Sequence, residues 1–292
     1  MLGLLSVLAA PTAGATDPDS RPHVPEKWQW GAGTVDMILQ GETSLPFVDD
    51  DTCKPSPQHP NPVILLHGTG GTGADFVSHA ASLVNEGYCV WAPTYGKGLT
   101  IGQHTFVGGT TSIQHGASLE VAALIDHVLA VTGADKVDLV GVSLGGVAAT
   151  YTTKVHRPDS VGKVVGIATY WGLGEVTPDV GPLTEAFAGS AAFSPFPAMG
   201  ELRPGSEFHQ RWLGESGSPF VPGVEYTAIT SDTDGLIPAA ISYVPGHGMR
   251  HIRLQDGCPE NQSSHLTQIN DPRAVDAVHS VLDPSETRPL RC

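Results

Sequence analysis

Short, nearly continuous apolar runs recur along the chain as Val63-Ile64-Leu65-Leu66, Cys89-Val90-Trp91-Ala92, Val137-Asp138-Leu139-Val140 and Val164-Val165-Gly166-Ile167-Ala168, each bounded by Gly, Pro or Asp. Runs this short and without alternation suit parallel strands covered on both faces. Between them the apolar positions change to a helical period. Val121, Leu124, Ile125, Val128 and Leu129 share one stripe, with Glu120, Asp126 and His127 off it and Gly133 placed to cap the end. Phe76, Val77, Ala80, Leu83 and Val84 form a second stripe ahead of Gly87. Tyr226 to Thr230 and His251 to Leu254 add two further strands, and Asp271-Pro272 opens a last helix, since Asp caps free N–H groups and Pro fits a first turn. Strands alternating with helices predict an α/β fold, a mostly parallel central sheet with helices on both faces.

Three stretches stand outside this rhythm. Leu2 to Ala10 is apolar and short, and Ala13-Gly14-Ala15 is a small-x-small cleavage pattern, so residues 1–15 read as a signal peptide and the chain as exported. Residues 16–62 are Pro-rich and polar and read as an N-terminal extension lying over the surface, of which Trp28 and Trp30 pack a part. Within the main domain, residues 63–292, an insertion at about 171–222 carries Phe187, Phe193, Phe196, Phe208, Trp212 and Phe220. A stretch this long is usually functional; its aromatics form either a satellite core or a cap over substrate. No later run approaches the ~20 apolar residues of a membrane span.

Charge narrows the class. Thirty acidic residues against 15 basic ones give a net charge of −15, which argues against nucleic acid or an anionic membrane surface as a partner. Four cysteines in an exported chain are expected to pair. Cys53 lies just before one strand and Cys89 opens another, while Cys258 and Cys292 both lie late in the chain, so the expected pairs are Cys53 with Cys89 and Cys258 with Cys292. No C-x-x-C or His/Cys cluster suggests a metal.

The chemistry begins at Gly141-Val142-Ser143-Leu144-Gly145, a G-x-S-x-G elbow placed between a strand and a run of small residues able to start a helix. The glycines stand where side chains would meet neighbouring backbone, and the turn lifts Ser143 to a helix N-terminus. A serine hydroxyl is a weak nucleophile and needs a base and an orienting acid, in the chain order Ser, acid, His. His247 lies before the last strand, His251 opens it and His279 falls inside the last helix. His265, in the polar loop between that strand and that helix, is at the carboxyl edge where such sheets build their sites, and is the expected base. Asp234, which begins a D-x-x-I-P turn just past a strand, is the expected acid, with Asp232 as the alternative. His67-Gly68-Thr69-Gly70-Gly71 lets backbone approach a bound carbonyl oxygen, so the N–H groups of Thr69 and Leu144 are the expected oxyanion donors, with His67 shaping the loop.

Several further motifs carry a family likeness: Cys53-Lys54-Pro55-Ser56 with His59-Pro60, Pro62-Val63-Ile64-Leu65-Leu66-His67-Gly68-Thr69, Gly87-Tyr88-Cys89-Val90, Tyr95-Gly96, Thr132-Gly133-Ala134, Gly145-Gly146, and Leu254-Gln255-Asp256-Gly257-Cys258-Pro259 ahead of His265. With them the chain resembles the α/β-hydrolase superfamily, and within it the secreted actinobacterial-type lipases and carboxylesterases. The resemblance covers nearly the whole mature chain. It implies ester hydrolysis by a triad mapping to Ser143, Asp234 and His265, supports two disulfides, and implies no cofactor. Members often carry His before and Gln after the nucleophile; here Val142 and Leu144 stand, which makes the serine's surroundings more apolar. The expected activity is cleavage of carboxylic esters, acylglycerols among them. An acyltransferase, an esterase of cell-wall or plant esters, or a binding module that keeps the fold are the rival readings.

Overall fold

The structure, a computed structural model, describes residues 23–29, 44–97, 99–101, 104–171, 196–203, 205–285 and 288–292, with backbone alone for 99–101 and 104–107. The expected signal peptide, Trp30, Phe187 and Phe193 lie outside the described residues. In chain order come β1 (Val63–Leu66), a 3-10 turn (Gly73–Phe76), α1 (Val77–Asn85), β2 (Val90–Trp91), β3 (Leu99–Ile101) and β4 (His104–Val107). A π-helical turn (Ile113–Ala117) leads into α2 (Ser118–Thr132), followed by β5 (Val137–Val142), α3 (Leu144–Val155) and β6 (Val161–Ile167). The last part holds α4 (Pro197–Glu201), α5 (Glu207–Leu213), β7 (Glu225–Thr230), α6 (Ala239–Ser242), β8 (Arg250–Arg253), a 3-10 turn (Gln268–Asn270) and α7 (Pro272–Leu282).

Six strands form one sheet in the order β2-β1-β5-β6-β7-β8, every neighbouring pair parallel. The chain leaves β1 toward one edge and returns to β5 on its other side, so strand order reverses between β1 and β5. The crevice outside the carboxyl ends at such a reversal is where open α/β sheets take ligands. Register brings those ends level: Leu66 pairs with Gly141, Val142 with Ile167, and Ile167 with Ile229.

The continuous apolar runs are explained by burial on both faces. Ile64, Leu66, Leu139 and Val164 pack with Val121 and Ile125 of α2 and Val147 and Tyr151 of α3. Val63, Leu65, Val140, Val165 and Ile229 pack with Leu83 of α1 and Val278 of α7 on the other side. Alternate strand residues serve opposite faces, and each full burial contributes roughly 1.5–3 kcal/mol. Gly133 closes α2 at φ 77°, and the Asp271 carboxylate accepts the Arg273 N–H to cap α7. One buried carboxyl sits within this sheet: Asp138 accepts from Asn61 Nδ2 at 3.0 Å and lies 3.8 Å from Lys163 Nζ of the neighbouring strand.

The sequence pattern did not predict the antiparallel β3–β4 hairpin. Its few apolar residues are interleaved with polar ones and glycines, and its register shifts between Leu99 and Thr100, so no clean period survives. The described residues of the N-terminal stretch are anchored to the domain: Val24 and Asn85 exchange hydrogen bonds of 2.8 and 2.9 Å, and the Arg291 guanidinium stands 4.8 Å over the Trp28 ring. Leu45 and Val48 join the core. Disulfides join Cys53 to Cys89 and Cys258 to Cys292. In the described part of the insertion, Phe208 stacks on Tyr151 at 4.5 Å and Trp212 packs beside it, both continuous with the core beneath α3. The Glu201 carboxylate accepts the Ile113 N–H at 2.6 Å and a hydrogen bond from Ser112, which ties α4 to the start of the π-helical turn.

Candidate active site

β5 ends at Val142 and α3 begins at Leu144, leaving one residue for the turn. That residue, Ser143, has φ 52° and ψ −119°, a conformation in which an L side chain is strained. The glycines around it follow from contact geometry. A Cβ on Gly141 would stand 2.3 Å from the Gly146 nitrogen, and one on Gly145 would stand 1.9 Å from the Leu66 carbonyl oxygen. Ser143 is thereby raised above the sheet at the N-terminus of α3, where free N–H groups and the helix dipole favour negative charge.

Two loops from the far half of the chain meet it. The Ser143 hydroxyl donates to His265 Nε2 at 3.1 Å, and the opposite ring nitrogen, Nδ1, donates to Asp234 Oδ2 at 2.9 Å. The Leu236 and Ile237 N–H groups hold the other carboxylate oxygen, each at 2.8 Å. Burial pushes the Asp234 carboxyl upward, but the hydrogen bond and charge of His265 and the two N–H groups outweigh it, so its pKa falls below the ordinary value. Gln268, fully buried, donates from Nε2 to Asp234 Oδ2 at 2.8 Å. Thr233 Oγ1 donates to the Ser263 carbonyl at 3.0 Å and joins the two loops.

The loop after β1 closes the opposite side. Gly68 lies so near that a Cβ there would be 3.2 Å from Ser143 Cβ. Among the described residues, neither the Thr69 nor the Leu144 N–H meets an acceptor, so both are free for a ligand oxygen. His67 is buried under this loop: Nδ1 donates to the Gly68 carbonyl at 2.8 Å, and Nε2 accepts the Tyr95 N–H at 3.2 Å. Burial lowers its pKa to about 4, which keeps the ring neutral and the tautomer single. The Gly70 N–H donates to the Gly108 carbonyl at 2.9 Å, and the Gly108 N–H donates to the Gly71 carbonyl at 2.9 Å, which ties this loop to the residue after β4.

The other histidines and the second aspartate are engaged elsewhere. His251 pairs with Thr230 Oγ1 at 2.9 Å and stacks on Tyr243. His279 is buried against Ser82 Oγ at 2.9 Å. His247 lines a groove with Phe220 and Arg250 at the amino ends of β7 and β8, the opposite edge of the sheet from Ser143. Asp232 faces out and pairs with Arg253. Sequence reasoning missed Gln268, three positions after the histidine, because nothing in the sequence marks a glutamine there as a partner of Asp234. Among the described residues, Cys258, Glu260 and Cys292 are grouped closely enough for a metal, but the two sulfurs are bonded to each other and offer no thiolate. No described helix is long and apolar enough to cross a membrane.

The profile of the alpha/beta hydrolase family matches residues 63–281, three quarters of the chain. The chain belongs to that family. Two triacylglycerol lipases, from Pseudarthrobacter phenanthrenivorans and Burkholderia plantarii, are each 32% identical over 113 residues, which is 37% of this chain and 32% and 29% of the respective relatives. The chain therefore aligns with about a third of these relatives' length. Solved structures extend the likeness of fold: mature Bacillus licheniformis lipase superposes with a TM-score of 0.57 at 14% identity, over 81% of this chain and 95% of its own. Aspergillus fumigatus lipase B reaches 0.58 at 18% identity, over 97% of this chain and 64% of its own. The six-stranded parallel sheet with its helices is thus the fold shared with these structures.

Proposed function

We propose that this family member is a serine ester hydrolase that cleaves carboxylic esters, acylglycerols among them, through an acyl-enzyme. The observation that carries the reading is the unbroken chain of hydrogen bonds from Ser143 Oγ through His265 to Asp234. In the first step His265 Nε2 takes the hydroxyl proton as Oγ attacks the ester carbonyl. Asp234 holds the imidazole in the tautomer that leaves Nε2 free to accept, and stabilises the imidazolium that forms. The developing oxyanion is received by the Thr69 and Leu144 N–H groups, each worth roughly 3 kcal/mol of transition-state stabilisation. The imidazolium then protonates the departing alcohol, and a water activated by the same histidine releases the acid.

Buried Val142 and Leu144 flank the nucleophile, which favours a neutral acyl group over a charged one. The two lipase relatives support acylglycerols as a substrate class. Two disulfides suit an oxidising compartment, which supports export with residues 1–15 as the signal and residues 63–292 as the catalytic domain. The test is hydrolysis of p-nitrophenyl esters from short to long acyl chains by the protein and by Ser143→Ala. Turnover abolished in the variant is the expected result; turnover at the wild-type rate would refute it.

A further inference from the structure

One side chain near the triad has no place in the mechanism above. Asp234 Oδ1 is pinned by two backbone N–H groups, but among the described residues Oδ2 is held only by His265 and by the Gln268 amide. Gln268 has no solvent exposure, and its own carbonyl oxygen, Oε1, is buried with no hydrogen-bond partner among the described residues. A buried amide that leaves one end unsatisfied is unusual, because the loss is not recovered from water. Flipping it would set Oε1 against the carboxylate, so the orientation is dictated by Asp234. The turn that carries Gln268 is itself fastened: the Gln268 N–H donates to the Ser264 carbonyl at 3.1 Å, and Ser78 Oγ on α1 donates to Asn270 Oδ1 at 3.0 Å.

We propose that Gln268 is a positioning residue of this hydrolase, which anchors Asp234 Oδ2 so that the carboxylate orients His265 instead of following it. The inference rests on the serine-hydrolase reading of the site. With two donors on Oδ2 the carboxylate cannot swing about the fixed Oδ1 when the imidazole becomes charged. With one, Oδ2 moves with the ring, and its full acceptor strength falls on Nδ1–H. Titratable or charged groups on the elements packed against this turn are Asp234 and His265 in the site, Asp75 and His79 on the 3-10 turn and α1, and Asp271, Arg273, Asp276 and His279 at or within α7.

The test compares Gln268→Leu and Gln268→Glu with the unaltered full chain and with Ser143→Ala, using a soluble p-nitrophenyl ester across pH. Gln268→Leu should lower kcat roughly 10- to 100-fold, the worth of one charge-assisted hydrogen bond, with KM within about twofold. Its acid limb should also move to higher pH, since the undivided carboxylate favours the imidazolium. In Gln268→Glu the new carboxyl, buried against Asp234, shares a proton with it and can donate as the amide did. That variant should work nearly as well as the parent at the low end of the profile and fail as pH rises. Folded Gln268→Leu with the parent's kcat and acid limb would overturn the proposal. Equal impairment of both variants at every pH, with lowered thermal stability, would also overturn it, in favour of a packing role. Activity retained in Ser143→Ala would overturn the underlying reading, whereas its loss beside a silent Gln268→Leu removes the positioning role alone.

Discussion

The hydroxyl of Ser143 donates to Nε2 of His265 across 3.1 Å, although 122 positions separate the two along the chain. Neither residue reaches the other by local structure. Ser143 is delivered by the elbow after β5, and His265 by a loop after β8, three strands away in the sheet.

The acid partner separates cleanly by mutation. Asp234 is buried against His265, while Asp232 pairs with Arg253 at the surface. Asp234→Asn should lower kcat by about four orders of magnitude, because an amide favours the wrong tautomer of the imidazole. Asp232→Asn should stay within a few-fold of the parent, since an exposed ion pair is worth about 1 kcal/mol or less. Steady-state kinetics of both variants on one ester is sufficient; a reversed order would reassign the acid.

Gly145→Ala should fail in folding or in function, because its Cβ would fall 1.9 Å from the Leu66 carbonyl and neither backbone can yield without moving β1 or α3. Gly235→Ala is the matched control, with nothing within 4 Å of its Cβ. Soluble yield and Tm of the two proteins read the difference.

Stability should fall on the acid side. Burial lowers His67 and His79 to about 4 and His279 to about 3, so the unfolded chain takes up these protons first. A base with a lowered folded pKa contributes stability that is present above about 6.5 and is lost as pH falls toward 4. Asp138 acts in the opposite sense: burial raises it to about 6, so its contribution is full near pH 4 and is lost as pH rises through 6. His156 and His251 are lowered too, and Asp49 and Glu201 raised, so five histidines against three carboxyls leave a net uptake of protons on unfolding near pH 5. Urea unfolding at pH 7, 6 and 5 should give falling stability, and Asp138→Asn should steepen that fall. A flat profile would contradict the buried neutral histidines.

The Cys258–Cys292 bridge closes the loop that leads to His265 onto the C-terminal tail, where Arg273 also holds the Leu290 and Arg291 carbonyls. Replacing both cysteines by Ala should cost about 2–5 kcal/mol, the usual range for a native bridge. Activity should be lost at lower temperature than global secondary structure, because the loop carrying His265, the proposed base, loosens first. Coincident loss of both, followed by esterase assay and circular dichroism on one heating ramp, would instead make the bridge a global staple.

The sequence alone was enough for features whose cause is local or periodic. Uninterrupted apolar runs such as Val63–Leu66 required strands covered on both faces, the stripe through Val121 and Val128 required α2, and glycines on either side of Ser143 required a turn too tight for side chains. Chain order and loop position reduced the base to His265 and favoured Asp234 over Asp232 without deciding between the two carboxylates. Which carboxylate meets the imidazole is set by tertiary structure, because it depends on which oxygen faces the ring once β7 and β8 are paired. The β3–β4 hairpin was not legible because its backbone pairing carries no clean side-chain period. Gln268 was not legible because a buried glutamine has no sequence signature until the carboxylate it serves has been brought to it from 34 residues away.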